Sequence, residues 1–348
     1  MTARTAVVLF NLGGPDGLDA VRPFLFNLFN DPAIIGAPAP ARRLLAWLIA
    51  FSRAPVAREI YAEMGGSSPL LENTQRQAAA LEAALAARWG DARQGRVFVA
   101  MRYWHPFAAE TARAVAAFAP DQLVLLPLYP QFSTTTTWSS LQDWYRAARS
   151  AGLGAPSTAV CCYPVEPGFI DAAAAAILET AADRDDAGFR LLFSAHGLPE
   201  KIVRGGDPYQ WQVEQTAAAI AARLGDRFGD WVVCYQSRVG PLTWIGPATE
   251  AEIRRAGADG KNVLVAPIAF VSEHSETLVE LDIEYARLAA EAGVGTYLRA
   301  PTVSERAPFI DGLADLVAAA VERAGTASAD GGRLCPMEWR RCALAEAA

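Results

Sequence analysis

Histidine is the side chain whose ordinary pKa suits proton exchange near neutral pH, and this chain has only three. His105, His196 and His274 each follow an apolar, strand-like run. His196 lies in Phe193–Glu200, FSAHGLPE, after the run Phe189–Phe193. A strand that enters the turn carrying Gly197 and Pro199 puts the imidazole at its carboxyl end. That edge is where open α/β sheets bind ligands. His274 lies in Ser272-Glu-His-Ser-Glu276, after the strand run Asn262–Val271. From there acids fall at 273, 276, 280 and 284, at intervals of three, four and four. In a helix those positions form one stripe. One histidine at a strand end is usually a satisfied core or loop residue, and an acidic stripe is usually a solvated face. Three histidines in equivalent settings, with the stripe beside one of them, point to a site. A carboxylate row can carry protons or cations. Crowding raises carboxylate pKa values, which suits a group that must accept a proton near neutrality.

Other residues at the strand ends suggest what such a site would hold. Tyr103, Trp104, Tyr129, Trp138, Tyr235 and Trp244 gather there. Some of them are expected to pack the core edge. Those that face a cleft suit a large, flat, apolar ligand. Arg53, Arg102, Ser68 and Ser237 lie near the same turns and are suited to carboxylates at its rim. No P-loop is present, and the pairs Gly13-Gly14 and Gly65-Gly66 do not make a dinucleotide fingerprint. Ser194 is not in a nucleophile-elbow context.

These residues must be positioned by a scaffold, and its elements alternate. Thr5–Phe10, Arg96–Met101 and Gln122–Leu128 read as strands, with helices over Leu71–Trp89 and Phe107–Phe118. After residue 150 strands and helices alternate again, which predicts a parallel α/β architecture. Arg42–Phe51 has a basic start and an apolar body. We read it as a core helix, with a pocket lip touching a membrane surface as the alternative. Gly325–Leu334 reads as a small-residue linker.

An internal repeat is visible. VVLFNLGGP, ending at Pro15, matches LLFSAHGLP, ending at Pro199. Arg96–Pro106 resembles Trp231–Pro241. Leu125–Leu141 resembles Val265–Leu278, with Pro127 opposite Pro267. Three matches in one order predict two similar domains facing across a cleft. The matches put Leu12 in the place of His196, and threonines 134–137 in the place of Glu273, His274 and Glu276. The expected divisions are 1–160, 161–324 with the histidine and acids, and 325–348 as linker and tail.

Length and charge bound the function. The chain has 348 residues, enough for one large or two medium domains. A net charge of −7 disfavours broad nucleic-acid binding, which needs a basic face. The N-terminus has no signal-peptide pattern, and no apolar run is long enough to span a bilayer. Five cysteines are too few for a disulfide scaffold. The cytoplasm is the expected compartment.

SAHGLP at 194–199, YQSRVGP at 235–241, WIGP at 244–247 and FVSEHSETLVELD at 270–282 resemble the signature segments of the ferrochelatase family. NLGGP at 11–15, GGSSP at 65–69, MRYWHP at 101–106 and LPLYPQFS at 126–133 extend the resemblance over nearly residues 5–320. It implies two similar Rossmann-like domains with parallel sheets around a cleft. It also implies a lyase that inserts ferrous iron into protoporphyrin IX with release of two protons, the last step of haem synthesis. His196 matches the family's site histidine, which binds metal or takes a pyrrole proton, and Glu276 the carboxylate facing it. Glu273, His274, Glu280 and Glu284 would continue a proton and metal path. Arg53, Ser68 and Ser237 match propionate-holding positions, and Leu12, Tyr61, Arg102, Tyr103 and Trp244 line the pocket. Coproporphyrin III as substrate, cobalt or nickel as metal, and a non-catalytic tetrapyrrole or metal carrier are the alternatives. Monomer and homodimer both stay open.

Some relatives carry a [2Fe–2S] cluster on tail cysteines plus an internal one. Here Cys335 and Cys342 are the tail pair, with Cys162 or Cys161 as the internal ligand. A third tail cysteine is missing, and Leu344 stands near its place. Four thiolates, the usual number, are reached only if Cys161 and Cys162 both serve.

Overall fold

The computed structural model describes residues 2–182, 184, 188–238, 240 and 242–345. From the N-terminus the elements are β1 (Ala3–Asn11), α1 (Val21–Phe29), α2 (Ala39–Glu63), α3 (Leu70–Trp89), β2 (Arg93–Met101), α4 (Ala108–Phe118), β3 (Gln122–Pro127), α5 (Thr137–Ser150) and β4 (Ser157–Val160). Then follow α6 (Pro167–Ala181), β5 (Phe189–His196), α7 (Glu200–Arg204), α8 (Tyr209–Leu224), β6 (Trp231–Gln236), α9 (Thr249–Ala258) and β7 (Asn262–Pro267). A π-helical segment, Glu276–Glu284, leads into α10 (Tyr285–Glu291). The last elements are β8 (Tyr297–Arg299), α11 (Ala307–Val321) and β9 (Gly325–Ala327).

Two compact units result. The first joins Met1–Cys162 with Leu313–Arg333, and the second joins Tyr163–Gly312 with Leu334–Ala348. Each holds one parallel sheet, in the order β2-β1-β3-β4-β9 and β6-β5-β7-β8. The sequence explains the parallel pairing. β1 and β5 are runs of aliphatic and aromatic residues buried almost throughout, as strands covered by helices on both faces must be. Helix ends are set locally: Glu166 accepts from the N–H groups of Gly168 (3.0 Å) and Phe169 (2.7 Å), and Pro167 occupies the first helical turn of α6.

The repeat read in the sequence is a structural repeat. β1 lies between β2 and β3, and β5 between β6 and β7. Phe10 stands opposite Pro127, and Ser194, its counterpart, opposite Pro267. The shared order 2-1-3-4 places a topological switch point between β1 and β3 and another between β5 and β7. Ligand sites form outside strand carboxyl ends at such points. Val239 and Pro241 of the Trp231–Pro241 match lie outside the described residues, as do residues 346–348 of the tail.

Three expectations are corrected. Arg42–Phe51 is helical but not a core helix: only Ala46 and Ala50 of the stretch are buried, while Leu44 is 60% and Phe51 59% exposed. Ala46, Ala50 and Ala54 form the packing face at four-residue spacing, and the large apolar groups point outward. The acidic stripe does not sit on an α-helix, since the segment from Glu276 has the wider i→i+5 turn, which is frequent at functional sites. Residues 325–327 are no linker, because they pair with Thr158–Val160 as the edge strand of the first sheet.

Candidate active site

The second unit gathers most of the chemistry at the carboxyl ends of β5 and β7. His196 is the last residue of β5 and pairs in register with Gln236, the last of β6. Its Nδ1 lies 2.8 Å from Oε2 of Glu276, the first residue of the π-segment. The side chain is 38% exposed, and its Nε2 makes no hydrogen bond among the described residues. The Tyr209 hydroxyl donates to the His196 carbonyl at 3.0 Å and fixes the main chain beneath the ring. His274 holds its Nδ1 3.1 Å from the Ser272 carbonyl, which makes that nitrogen the protonated one, and its Nε2 stands 3.9 Å from Glu276 Oε2. Gly197 is required here: a Cβ would meet the Gln236 carbonyl at 3.0 Å and the Trp244 ring at 3.3 Å.

The four acids read as one stripe part company. Glu280 joins Glu276. Its Oε1 accepts from the Ser237 N–H (2.8 Å) and the Tyr285 hydroxyl (2.9 Å), and its Oε2 from the Ser237 hydroxyl (2.5 Å) and Gln236 Nε2 (3.1 Å). Ser237, matched to a propionate-holding position, is thus bound to Glu280. It holds a left-handed backbone, φ +59°, which is costly for a non-glycine residue and concentrates at functional sites. Glu273 pairs with Arg299 at 2.7 Å and accepts from the Thr302 N–H at 2.8 Å. Glu284 is exposed.

The electrostatics separate the acids further. Burial alone would raise the Glu276 carboxyl. The charge and hydrogen bond of His196, with His274 nearby, outweigh burial and hold it down at about 2. Burial works against the His196 imidazolium, but Glu276 prevails and raises the imidazole above its usual value. Glu280 moves the other way: burial, then the charge of Glu276, push it up against its hydrogen-bond donors. Two neighbouring carboxyls are pushed apart in pKa, which is how acid and base roles are assigned within one site. This arrangement can accept a proton at His196 Nε2 and hold the resulting cation against Glu276.

In the first unit the equivalent strand ends are apolar or internally paired. Leu12 is half-buried and packs with Tyr61, Tyr103 and residues of α1 and α2. Arg102, matched to the pocket lining, pairs with the buried Asp31 at 2.8 Å and donates to Ser139 at 2.8 Å. Ser139 also donates to Asp31, as does the Tyr103 hydroxyl at 2.8 Å. Asp31 was not expected from the sequence, and neither were Gln236 and Tyr209. A single acid after Phe29-Asn30 carries no spacing signal for partners so distant in the chain. The Ser68 N–H donates to the Pro15 carbonyl at 2.8 Å, and Arg53 is exposed on α2. Among the buried aromatics are Tyr103 and Tyr235, whereas Trp138 is 43% exposed.

All five cysteines are buried and none forms a disulfide. Cys161 and Cys162 hold their sulfurs 3.6 Å apart in the first unit, and Cys335 accepts from Gln212 at 3.1 Å in the second. Among the described residues no group of three or more His, Cys, Asp or Glu is disposed to hold a metal ion. Four-thiolate ligation of a [2Fe–2S] cluster is therefore without geometric support. No helix among those residues is long and apolar enough to cross a membrane.

Comparison with known proteins bears on the family and the fold. Residues 4–321 match the ferrochelatase family model. The chain is 59% identical over its whole length to a ferrochelatase of Caulobacter vibrioides, covering 99% of that protein. It is 60% identical to one of Phenylobacterium zucineum, with 98% of each covered. Among solved structures, SirB from Bacillus subtilis superposes with a TM-score of 0.53 at 11% identity, over 91% of this chain and 95% of that one, which speaks for the fold. With a family match over residues 4–321, relatives aligned over the whole length and two parallel α/β units of the chelatase fold, the chain belongs to the ferrochelatase family, enzymes that insert ferrous iron into a porphyrin in haem synthesis.

Proposed function

We propose that this chain inserts ferrous iron into protoporphyrin IX, with His196 as the base that takes the pyrrole protons. The observation that carries this reading is the 2.8 Å contact between His196 Nδ1 and Glu276 Oε2. Glu276 accepts a hydrogen bond from Nδ1–H and so leaves the lone pair at Nε2, on a partly exposed ring. A porphyrin must lose two pyrrole protons before its four nitrogens hold a divalent ion. Nε2 accepts each in turn, and the imidazolium is stabilised by the carboxylate behind it. Glu280, with its raised pKa, is the next station outward. Ferrous iron, the second substrate, takes imidazole and carboxylate ligands weakly enough to be handed on. To Arg53, Ser68, Ser237, Leu12, Tyr61, Arg102, Tyr103 and Trp244 we assign the pocket and propionate roles that the resemblance of their sequence segments implies.

The exposed apolar ridge of α2, Leu44, Leu45, Trp47, Leu48 and Phe51, favours a substrate with an apolar edge, hence protoporphyrin over coproporphyrin III. The same ridge, beside Arg42 and Arg43, supports peripheral contact with a membrane surface by a cytoplasmic protein. Anaerobic incubation with ferrous iron and each porphyrin, followed by absorbance, tests the reading. Faster turnover of the four-propionate porphyrin would overturn the substrate assignment, and no turnover of either would overturn the enzyme. For the tail, a [2Fe–2S] cluster would give visible absorbance in an anaerobic preparation that Cys335→Ser removes. A colourless preparation sinks it.

A further inference from the structure

Gln236 is fully buried at the end of β6 and belongs to none of the roles above. Its amide is pinned on both sides. Oε1 accepts from the Ser194 hydroxyl at 2.8 Å, and that hydroxyl lies 3.1 Å from Thr249 Oγ1. Nε2 donates to the Glu276 main-chain carbonyl at 2.9 Å and to Glu280 Oε2 at 3.1 Å. Both partners on the nitrogen side are acceptors, so the amide has one satisfying orientation. Gln236 is also the register partner of His196. One rigid side chain therefore spans from the strand that carries the histidine's neighbour to the first residue of the π-segment that carries its carboxylate.

The consequence is geometric. Glu276 opens a π-helical segment and follows a loop from the end of β7. Its side chain reaches His196 only if its main chain is held at one distance from the ends of β5 and β6. Among the described residues, Gln236 is the side chain that donates to the Glu276 carbonyl. The second bond of the same amide ties Glu280, one turn on, to the same strand end. We propose that Gln236 is a positioning residue for the reaction: it locks the first turn of the π-segment to the ends of β5 and β6, and so sets Glu276 against His196. This rests on the reading of His196 and Glu276 given above. A buried amide with all its partners met is rigid, and a misplacement of about 1 Å at a reacting group costs on the order of a hundredfold in rate.

The test uses the whole chain. Gln236→Met keeps length and burial but removes both donated bonds. Turnover should fall tenfold or more, with porphyrin KM changed less than threefold. The downfield proton resonance of the His196 Nδ1–H···Glu276 hydrogen bond, observable without substrate, should disappear. Ser194→Ala frees only the Oε1 side and should give a smaller fall of the same kind. Persistence of that resonance in folded Gln236→Met, or a loss confined to KM, overturns the proposal. If Gln236→Met does not fold, Ser194→Ala decides alone: a weakened resonance with lowered turnover supports it, and an unchanged one overturns it. His196→Ala is run in parallel. Full turnover there would sink the His196 assignment itself, whereas an inactive His196→Ala beside a fully active Gln236→Met sinks only the role of Gln236.

Discussion

The carboxyl end of β1 and the carboxyl end of β5 are the same piece of architecture with different contents. Both strands are flanked alike, both face a proline in the strand that follows across the switch point, and both run into a glycine-containing turn ending in proline. At the first, Leu12 packs into a cluster of aromatic and aliphatic side chains, and the charges nearby are spent on one another. At the second, an imidazole, two carboxyls, an amide and a serine in left-handed backbone converge. Shared topology therefore supplies a place for a ligand twice, but the side chains that fill the two places differ, and the proposed chemistry falls on the second. The fold sets where chemistry can happen, and a few substitutions at a strand end decide whether it does.

The largest expected effect tests that asymmetry directly. His196→Ala should lower iron insertion by about 10²–10⁴-fold, the usual share of a positioned acid–base group. Porphyrin binding, followed by fluorescence quenching, should persist. Near-normal turnover in the folded variant would erase the distinction between the two strand ends.

The apolar end has its own weak point. Asp31→Ala removes the nearest carboxylate of the largely covered Arg102 and leaves it Asp143 at 3.7 Å; breaking a buried ion pair outright costs about 3–5 kcal/mol, and Asp143 recovers part of that. Asp31 also anchors Ser139 and Tyr103, so the loss falls on several contacts at once. The midpoint of denaturant unfolding should drop accordingly. A stability change no larger than that of a surface substitution would show that these charges are not structural.

Much of this contrast was legible in the sequence. The alternation of apolar runs and helices predicted a parallel α/β architecture, and the repeat predicted two similar domains, because both depend on short-range pattern; the strand order itself comes from the structure. His196 stood out through scarcity and its place at a strand end, while spacing gave only the stripe and the family resemblance singled out Glu276 within it. What stayed hidden depends on long-range pairing. The partnership of Asp31 with Arg102, and that of Glu273 with Arg299, join residues whose spacing follows no local period. The stripe looked continuous because an α-helical period was assumed, whereas a π-turn and the pull of Arg299 split it. Residues 325–327 are too short and too small to read as a strand, and only pairing with β4 makes them one. The outward face of α2 was misread because apolar content says nothing of which side is covered when alanines make the contact.

Charge at the reactive end gives a sharper test than rate alone. Glu276 raises the His196 pKa in the folded state. For stability, this contribution is fully present below the ordinary histidine pKa and is lost as pH rises through the raised value. For catalysis the sense is opposite, because the base form exists only above that value. Glu276→Gln removes the anion, so turnover should fall more than tenfold. The acid limb of the pH–rate profile should also move to lower pH. A limb that stays in place would mean that the group titrating in the profile is not His196.

The smallest effect is expected at the far end of the π-segment, and its size decides how far the reactive region extends. Glu284 has the same spacing from Glu280 that Glu280 has from Glu276, so the stripe alone would rank it with them. Its surroundings do not. Glu284 is exposed, and bulk water competes for whatever its carboxylate meets. Glu280 is held by four donors and responds to the charge of Glu276. Neutralising an exposed carboxylate changes local interactions by less than about 1 kcal/mol, so Glu284→Gln should alter turnover by no more than a few-fold. Glu280→Gln should cost distinctly more, since it also releases Ser237 and one bond of Gln236. Steady-state rates of the two variants, measured at several iron concentrations, make the comparison. Equal losses at both positions, growing as iron is lowered, would extend the reactive path to the surface along the whole segment. A loss at Glu280 alone would end that path one turn from Glu276.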